Sequence, residues 1–128
     1  MKPRPMIALA DVEAGSRWFC DVLGLRSGHG GKEYEQLMDG DVMVAQLHDW
    51  DPEEHPHMGD PADPSRGNGV LLWFVTQDFD GLLERVRAHD VTVIDGPLFN
   101  DNARQQEIWL EGPDGYRIVV AGPSAWET

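Results

Sequence analysis

Few residues in this 128-residue chain have types and spacings that indicate chemistry. His55 and His57 lie two apart, and neutral imidazole is a common ligand of transition metals. They fall in the stretch 49–68, which contains four prolines, many acids and no fixed third ligand. That composition favours a solvated linker or lid. No Ser/His/Asp grouping and no phosphate-binding glycine loop is present in the sequence, so these residues alone predict no reaction.

The charge of the chain narrows the choice of partners. The formal net charge is −13, from 23 acidic against 10 basic residues. Such a field repels nucleic acid and anionic membranes and would concentrate a cationic small molecule, although acidity can also serve solubility alone or reflect a salt-adapted host. Cys20 is the only cysteine, and the opening MKPRP lacks an apolar signal region. We therefore expect a cytoplasmic protein with no internal disulfide and no nucleic-acid or membrane partner.

The elements that must position any site come as an internal repeat. Residues 6–25 and 70–91 each read as an apolar strand, a turn bearing Asp11 or Asp78, a helix with one apolar stripe, and a second strand. The 67-residue shift that superposes the two aspartates also places Phe19 on Val86. The repeat predicts two modules of the same design within one domain.

The order of elements follows from apolar periodicity and turn residues. Asp39-Gly40 predicts a tight hairpin, and the Pro-Asp-Gly at 113–115 predicts a second turn. Each module is then strand, helix and three strands. We place module one at 1–48, the linker or lid at 49–68, module two at 69–121 and a tail at 122–128. The predicted strands are 4–9, a short one from 25, 34–38, 42–48, 69–76, 91–94, 105–110 and 116–121, with helices at 12–23 and 79–89.

The segments ADVEAGSRWFCDVLGL at 10–25 and WLEGPDGYRIVV at 109–120, together with the βαβββ repeat, resemble the vicinal oxygen chelate superfamily. This superfamily groups glyoxalase I, extradiol dioxygenases, fosfomycin-modifying transferases and bleomycin-resistance proteins. The resemblance implies an α+β fold in which paired βαβββ modules form an open, cup-like barrel, generally completed in a homodimer. It covers nearly the whole chain.

The resemblance also implies where a metal would bind. Metal-dependent members take ligands from the first and fourth strands of each module, and those positions align here with Arg4, Ala45, Leu71 and Val119. Three of these are aliphatic and a guanidinium stays protonated, so we expect no metal and no cofactor. A shift of one residue in the fourth strand would bring Gln46 into place, but it would also invert that strand. The pattern is similar to the metal-free branch, typified by bleomycin-resistance proteins, which bind and sequester drugs.

Side chains two residues away from those four positions should face the same cavity. Trp73 and Trp109 would form an aromatic clamp for a planar ligand, unless they only fill the barrel. Glu107 would need a partner, which either Arg4 or a cationic ligand could provide; alternatively it could act as a general base. The inward set is Met6, Tyr34, Gln36, Met43, Leu47, Trp73, Glu107 and Trp109. The candidate ligand-binding residues are Arg4, Tyr34, Met43, Leu47, Trp73, Glu107 and Trp109.

These expectations favour a binding protein over an enzyme. The leading hypothesis is a cytoplasmic, homodimeric, metal-free protein that confers resistance by sequestering an aromatic or cationic antibiotic. The alternative is an enzyme of the same fold, a glyoxalase-like lyase or isomerase acting on a small metabolite. A regulatory binding module is a third possibility. No catalytic residue is predicted.

Overall fold

Each half of the chain folds into one helix and a four-stranded mixed sheet in the computed structural model, which describes residues 1–65 and 67–125. The halves are two compact units, Met1–Arg66 and Gly67–Thr128. The end of the predicted tail, 126–128, lies outside the described residues. Both sheets are open, so the α+β fold of paired βαβββ modules is confirmed.

The two units repeat one strand order. In the first, the sheet order is β1-β4-β3-β2, and in the second it is β5-β8-β7-β6; the outer pairs β1/β4 and β5/β8 are parallel. The first unit contains β1 (Met6–Ala8), α1 (Val12–Leu23), β2 (Arg26–Ser27), β3 (Tyr34–Asp39), β4 (Val42–His48) and a 3-10 turn at Pro56–Met58. The second contains β5 (Leu72–Val75), α2 (Phe79–Ala88), β6 (Val93–Asn100), β7 (Gln105–Glu111), a 3-10 turn at Pro113–Gly115 and β8 (Arg117–Ala121).

Both helices begin at an aspartate that caps them. The Asp11 carboxylate accepts a hydrogen bond from the Ala14 backbone N–H, and the Asp78 carboxylate accepts one from that of Gly81, each at 3.0 Å. A capping carboxylate satisfies one of the free N–H groups in the first helical turn. At the other end of α1, Gly24 has φ 74°, a left-handed conformation that glycine adopts without the cost of a Cβ. The repeated turns of the sequence are therefore helix caps.

The core of the first unit lies between α1 and one face of its sheet. Phe19 of α1 and Leu37 and Leu47 of the sheet are 0% exposed. Gly15 permits this close approach, because a methyl group there would collide with the Leu9 side chain and lie 3.7 Å from Cδ1 of Leu47. Leu47 consequently packs beneath the helix.

The position of Leu47 corrects the predicted inward set. Tyr34 pairs with His48 and Gln36 with Gln46, but after Leu37, which pairs with Ala45, Met38 pairs with Met43. One extra residue in β4 forms a β-bulge, which reverses the alternation of side chains along the strand. Met43 therefore shares a face with Met38, whereas Ala45 and Leu47 belong to the buried helix face. The prediction that Met43, Ala45 and Leu47 all face the cavity was therefore wrong for Ala45 and Leu47.

A buried carboxylate ties α1 to the strands and loop beside it. Glu35 is 2% exposed, and its Oε2 accepts hydrogen bonds from the hydroxyls of Ser16 (2.7 Å) and Ser27 (2.6 Å). Its Oε1 accepts from the backbone N–H groups of His29 (3.0 Å), Gly30 (2.7 Å) and Gln36 (2.9 Å). Burial disfavours the ionised form, but these hydrogen bonds outweigh it and lower the pKa of Glu35 from 4.5 to about 2.

The strand β6 is longer than the predicted strand at 91–94. It continues to Asn100 through Pro97, where its register against β7 shifts between Asp95 and Leu98. A proline is tolerated there because it lies at this irregularity of an edge strand, where the ladder of hydrogen bonds is interrupted. Within the described ranges, no helix has both the length and the apolar character needed to cross a membrane.

Candidate functional site

The face of the first sheet that lies opposite α1 carries four polar side chains besides Met38 and Met43. We call these four the first polar face; they are Tyr34, Gln36, Gln46 and His48. The Tyr34 hydroxyl donates to Oε1 of Gln46 at 2.6 Å and accepts from Nε2 of Gln36 at 3.2 Å. Nε2 of Gln46 donates to the backbone carbonyl of Arg4 at 3.1 Å. These bonds engage both ends of the Gln46 amide and fix its orientation.

Sequence reasoning missed Gln46 and His48 as members of this face. Both alternate with the apolar Ala45 and Leu47, and that alternation is the signal that could have found them. Counting every second residue from Ala45 concealed it, because Ala45 itself lies on the buried face and the β-bulge reverses the alternation before Met43. The expected side of the sheet does carry Tyr34, Gln36 and Met43. Arg4 precedes β1 and is exposed. Their role in binding a ligand stays a prediction.

The second unit carries two tryptophans and one carboxylate on the same face of its sheet. Trp73 and Trp109 both pair with Val119 in β8, from opposite sides, and Glu107 is two residues before Trp109. We call Trp73, Glu107 and Trp109 the tryptophan face. Val119 is fully buried between its two neighbours, although Trp73 itself is 41% exposed. A side chain that only filled a core would not be exposed to that degree.

Glu107 is a buried carboxylate whose described partners are neutral. It is 4% exposed, and its two oxygens accept from the Trp109 indole N–H and from Nδ2 of Asn100, each at 3.1 Å. The Asn100 amide is held in this orientation because its oxygen accepts from the backbone N–H groups of Asn102 and Ala103. No ion pair to Glu107 is present within residues 67–125. The carboxyl group is therefore fixed in place, and two of about four acceptor positions on it remain.

The spacing of the tryptophans suits a flat ligand. Adjacent strands are about 4.8 Å apart, so side chains on β5 and β7, with β8 between them, begin about 9.6 Å apart. An aromatic group sandwiched between two rings needs roughly 7 Å, twice a contact distance of about 3.5 Å. An inclination of Trp73 and Trp109 toward each other by a little more than about 1 Å each would bring the rings to that spacing above Val119. The hydrogen bond to Glu107 limits the rotation of Trp109.

The positions where the resemblance implies metal ligands do not fit a metal. Ala45 and Val119 are buried aliphatic residues, and Leu71 is an exposed one. Gln46, the residue next to Ala45, does lie on the open face, but its amide oxygen already accepts from Tyr34. One occupied amide does not form a chelating set.

The single cysteine does not add a nucleophile. Burial raises the pKa of the Cys20 thiol, and the nearby carboxylates of Glu35 and Asp21 raise it further, against a lowering hydrogen bond with Ser16. Reactive cysteines have a lowered pKa and an electropositive setting. Cys20 therefore behaves as a half-buried residue of the α1 surface.

The repeated βαβββ units and the two open sheets define a class of small paired-module proteins, and comparison with known proteins identifies the family. Residues 3–120 match the family model of the Glyoxalase/Bleomycin resistance protein/Dioxygenase superfamily, and the chain belongs to that superfamily. No curated protein sequence matches the chain.

Several solved structures share the fold. A protein of unknown function from Agrobacterium tumefaciens str. C58 has a TM-score of 0.76 and 20% identity, over 96% of this chain and 94% of its own. A glyoxalase/bleomycin resistance protein/dioxygenase family enzyme from Burkholderia phytofirmans PsJN has a TM-score of 0.73 and 18% identity, over 91% and 94%. The fosfomycin resistance protein FosX from Mesorhizobium loti has a TM-score of 0.69 and 15% identity, over 99% and 95%. At these identities the likeness shows the fold alone.

Proposed function

We propose that this protein binds a planar, cationic small molecule on the tryptophan face and acts by sequestering it, as an antibiotic-binding member of its superfamily without a metal at the superfamily's ligand positions. The observation that carries the proposal is the pairing of an exposed Trp73 with a buried, ionisable Glu107 whose described partners are neutral. Stacking between indoles binds the flat part of such a ligand, and the carboxylate binds its N–H donors.

The acidic character of the site favours a ligand with a positive charge. A buried carboxylate inside a chain of net charge −13 attracts cations and opposes anions. A hydrogen bond to a charged group contributes about 1.5 to 3 kcal/mol, which corresponds to about 10- to 150-fold in affinity. A small anionic phosphonate such as fosfomycin would lose that contribution and meet repulsion. The site therefore supports a ligand chemistry different from that named for the Mesorhizobium relative.

The decisive experiment titrates the protein with proflavine, a planar aromatic cation, and with acridone, its neutral analogue, while following tryptophan fluorescence. We expect saturable quenching by proflavine at a fixed stoichiometry and much weaker quenching by acridone. Glu107→Gln should weaken proflavine binding about 10- to 150-fold and leave acridone binding nearly unchanged. Glu111→Gln, which removes an exposed carboxylate from the same strand, is the matched control.

A second variant tests the clamp. Trp109→Ala should cost about 1 to 3 kcal/mol of proflavine binding, with a smaller loss of folding stability. If Trp109 only filled the barrel, the substitution would instead destabilise folding by about 3 to 5 kcal/mol and affect every ligand alike. Recovery of the ligand unchanged in mass supports sequestration. Conversion of the ligand to a product would favour the alternative, a lyase or isomerase with Glu107 as general base.

We further propose that the protein works as a cytoplasmic homodimer. The edge strand β6 pairs only with β7 within the described part of the chain, and its Val93, Ile94 and Phe99 side chains are 41%, 40% and 53% exposed. An exposed apolar edge is the kind of surface that a second copy of the chain covers in a twofold assembly.

A further inference from the structure

We propose a divalent transition-metal site in the first unit, formed by His48, Asp51, Glu54 and His55. It lies at the end of β4 and in the turn that follows, away from the strand positions that the resemblance implied. The proposal does not depend on the proposed ligand of the tryptophan face, which belongs to the second unit.

The turn at 51–55 brings three potential ligands together. One donor atom each from Asp51, Glu54 and His55 lies within 4.8 Å of the others. The backbone N–H of His55 donates to the carbonyl of Asp51 at 2.7 Å, so residues i, i+3 and i+4 share one side of a helical turn. Donors on a tetrahedral zinc are about 3.4 Å apart, given metal–donor distances near 2.1 Å. Side-chain rotations that move the donor atoms by little more than about 1 Å therefore suffice to close the site.

His48 adds a second imidazole from a different element. The rings of His48 and His55 have centroids 4.5 Å apart, although the residues are seven positions apart and His48 belongs to β4. Two imidazoles with carboxylates form a donor set suited to Zn²⁺, Ni²⁺ or Co²⁺, whereas Ca²⁺ and Mg²⁺ prefer oxygen ligands only. The mixed set distinguishes this cluster from the many acidic groups of the surface.

The His48 imidazole is already oriented by its other nitrogen. Nδ1 of His48 lies 3.0 Å from the backbone carbonyl of Asp49 and 3.0 Å from its carboxylate. Because a carbonyl can only accept, Nδ1 of His48 is assigned the proton and Nε2 keeps its lone pair. A histidine that binds a metal through one nitrogen commonly donates through the other to a carbonyl or carboxylate. Within residues 1–65, Nε2 of His48 has no hydrogen-bond partner. For His55 the nitrogen that faces the other ligands is Nδ1, which lies 3.3 Å from the carboxylate of Asp51.

The test is calorimetric titration of untagged, metal-depleted protein with Zn²⁺ alone. We expect one ion per chain, a higher melting temperature with Zn²⁺, and no comparable binding of Ca²⁺. His55→Ala should weaken Zn²⁺ binding by more than tenfold, and its side chain is exposed enough (43%) to be replaced without loss of folding. His57→Ala, an exposed histidine outside the cluster, should change the affinity less than twofold.

A further variant separates a built site from surface adsorption. His48→Asn should also weaken Zn²⁺ binding by more than tenfold, with a melting curve of the metal-free protein confirming that it is folded. The proposal is overturned if no saturable binding occurs up to millimolar Zn²⁺, if His57→Ala weakens it as much as His55→Ala, or if folded His48→Asn binds like the wild type. These outcomes are independent of proflavine binding, so this proposal and that of the tryptophan face can fail separately.

Discussion

Replacement of Glu35 by glutamine tests how a single ionised group stabilises the first unit. Glu35→Gln keeps the shape of the side chain but removes its charge and turns one acceptor oxygen into an N–H donor. That donor faces either the hydroxyls of Ser16 and Ser27 or three backbone N–H groups. The remaining donors lose an ionised partner, and burial leaves no water to replace it.

The size of the effect follows from the pKa of Glu35. The drop from 4.5 to about 2 is about 2.5 units, and at 1.36 kcal/mol per unit it contributes about 3 kcal/mol of folding stability at pH 7. The folded protein binds the proton less tightly than the unfolded chain. The contribution is therefore complete above about pH 4.5, declines as the pH falls toward 2, and is reduced to somewhat less than half at pH 3.

The assay is urea unfolding followed by circular dichroism for wild type, Glu35→Gln and Glu33→Gln at pH 7, 5, 4 and 3. At pH 7 we expect Glu35→Gln to be about 3 kcal/mol less stable than wild type, and at pH 3 we expect this difference to shrink by about 2 kcal/mol. Comparing two variants at each pH cancels the titration of the other carboxylates. Glu33→Gln, at an exposed position nearby, should match wild type. A difference that stays constant from pH 7 to pH 3 would refute the ionisation argument.

Two further outcomes follow from the structure. Leu47→Ala should lower the free energy of unfolding by about 2 to 5 kcal/mol because it leaves a cavity beneath α1. The folded variant should bind proflavine with unchanged affinity. Weakened binding with intact stability would instead place Leu47 in the ligand site. Light scattering at tens of micromolar should give the mass of a dimer, and Phe99→Asp should give a monomer with an unchanged circular dichroism spectrum. A wild-type monomer would contradict the proposed assembly.

The sequence by itself determined the elements and their order, because these depend on local chemistry. The capping aspartates Asp11 and Asp78, the left-handed Gly24 and the 67-residue repeat each act through neighbours a few residues away. The predicted helix 12–23 and the strand 42–48 agree with α1 and β4. The shared face of Trp73 and Trp109 was also predictable, because the pairing of β5, β8 and β7 is regular there.

Only the tertiary structure decided which side chains meet. The β-bulge in β4 depends on the register between two strands, so the sequence of that strand alone could not show that Met43 shares a face with Gln46 and His48. The partners of Glu107 come from different positions of a hairpin, and the contact of His48 with His55 requires the chain to turn back after β4. Local residue preferences encode turns and periodicity, whereas these contacts depend on register and chain direction, which pairing with other strands fixes.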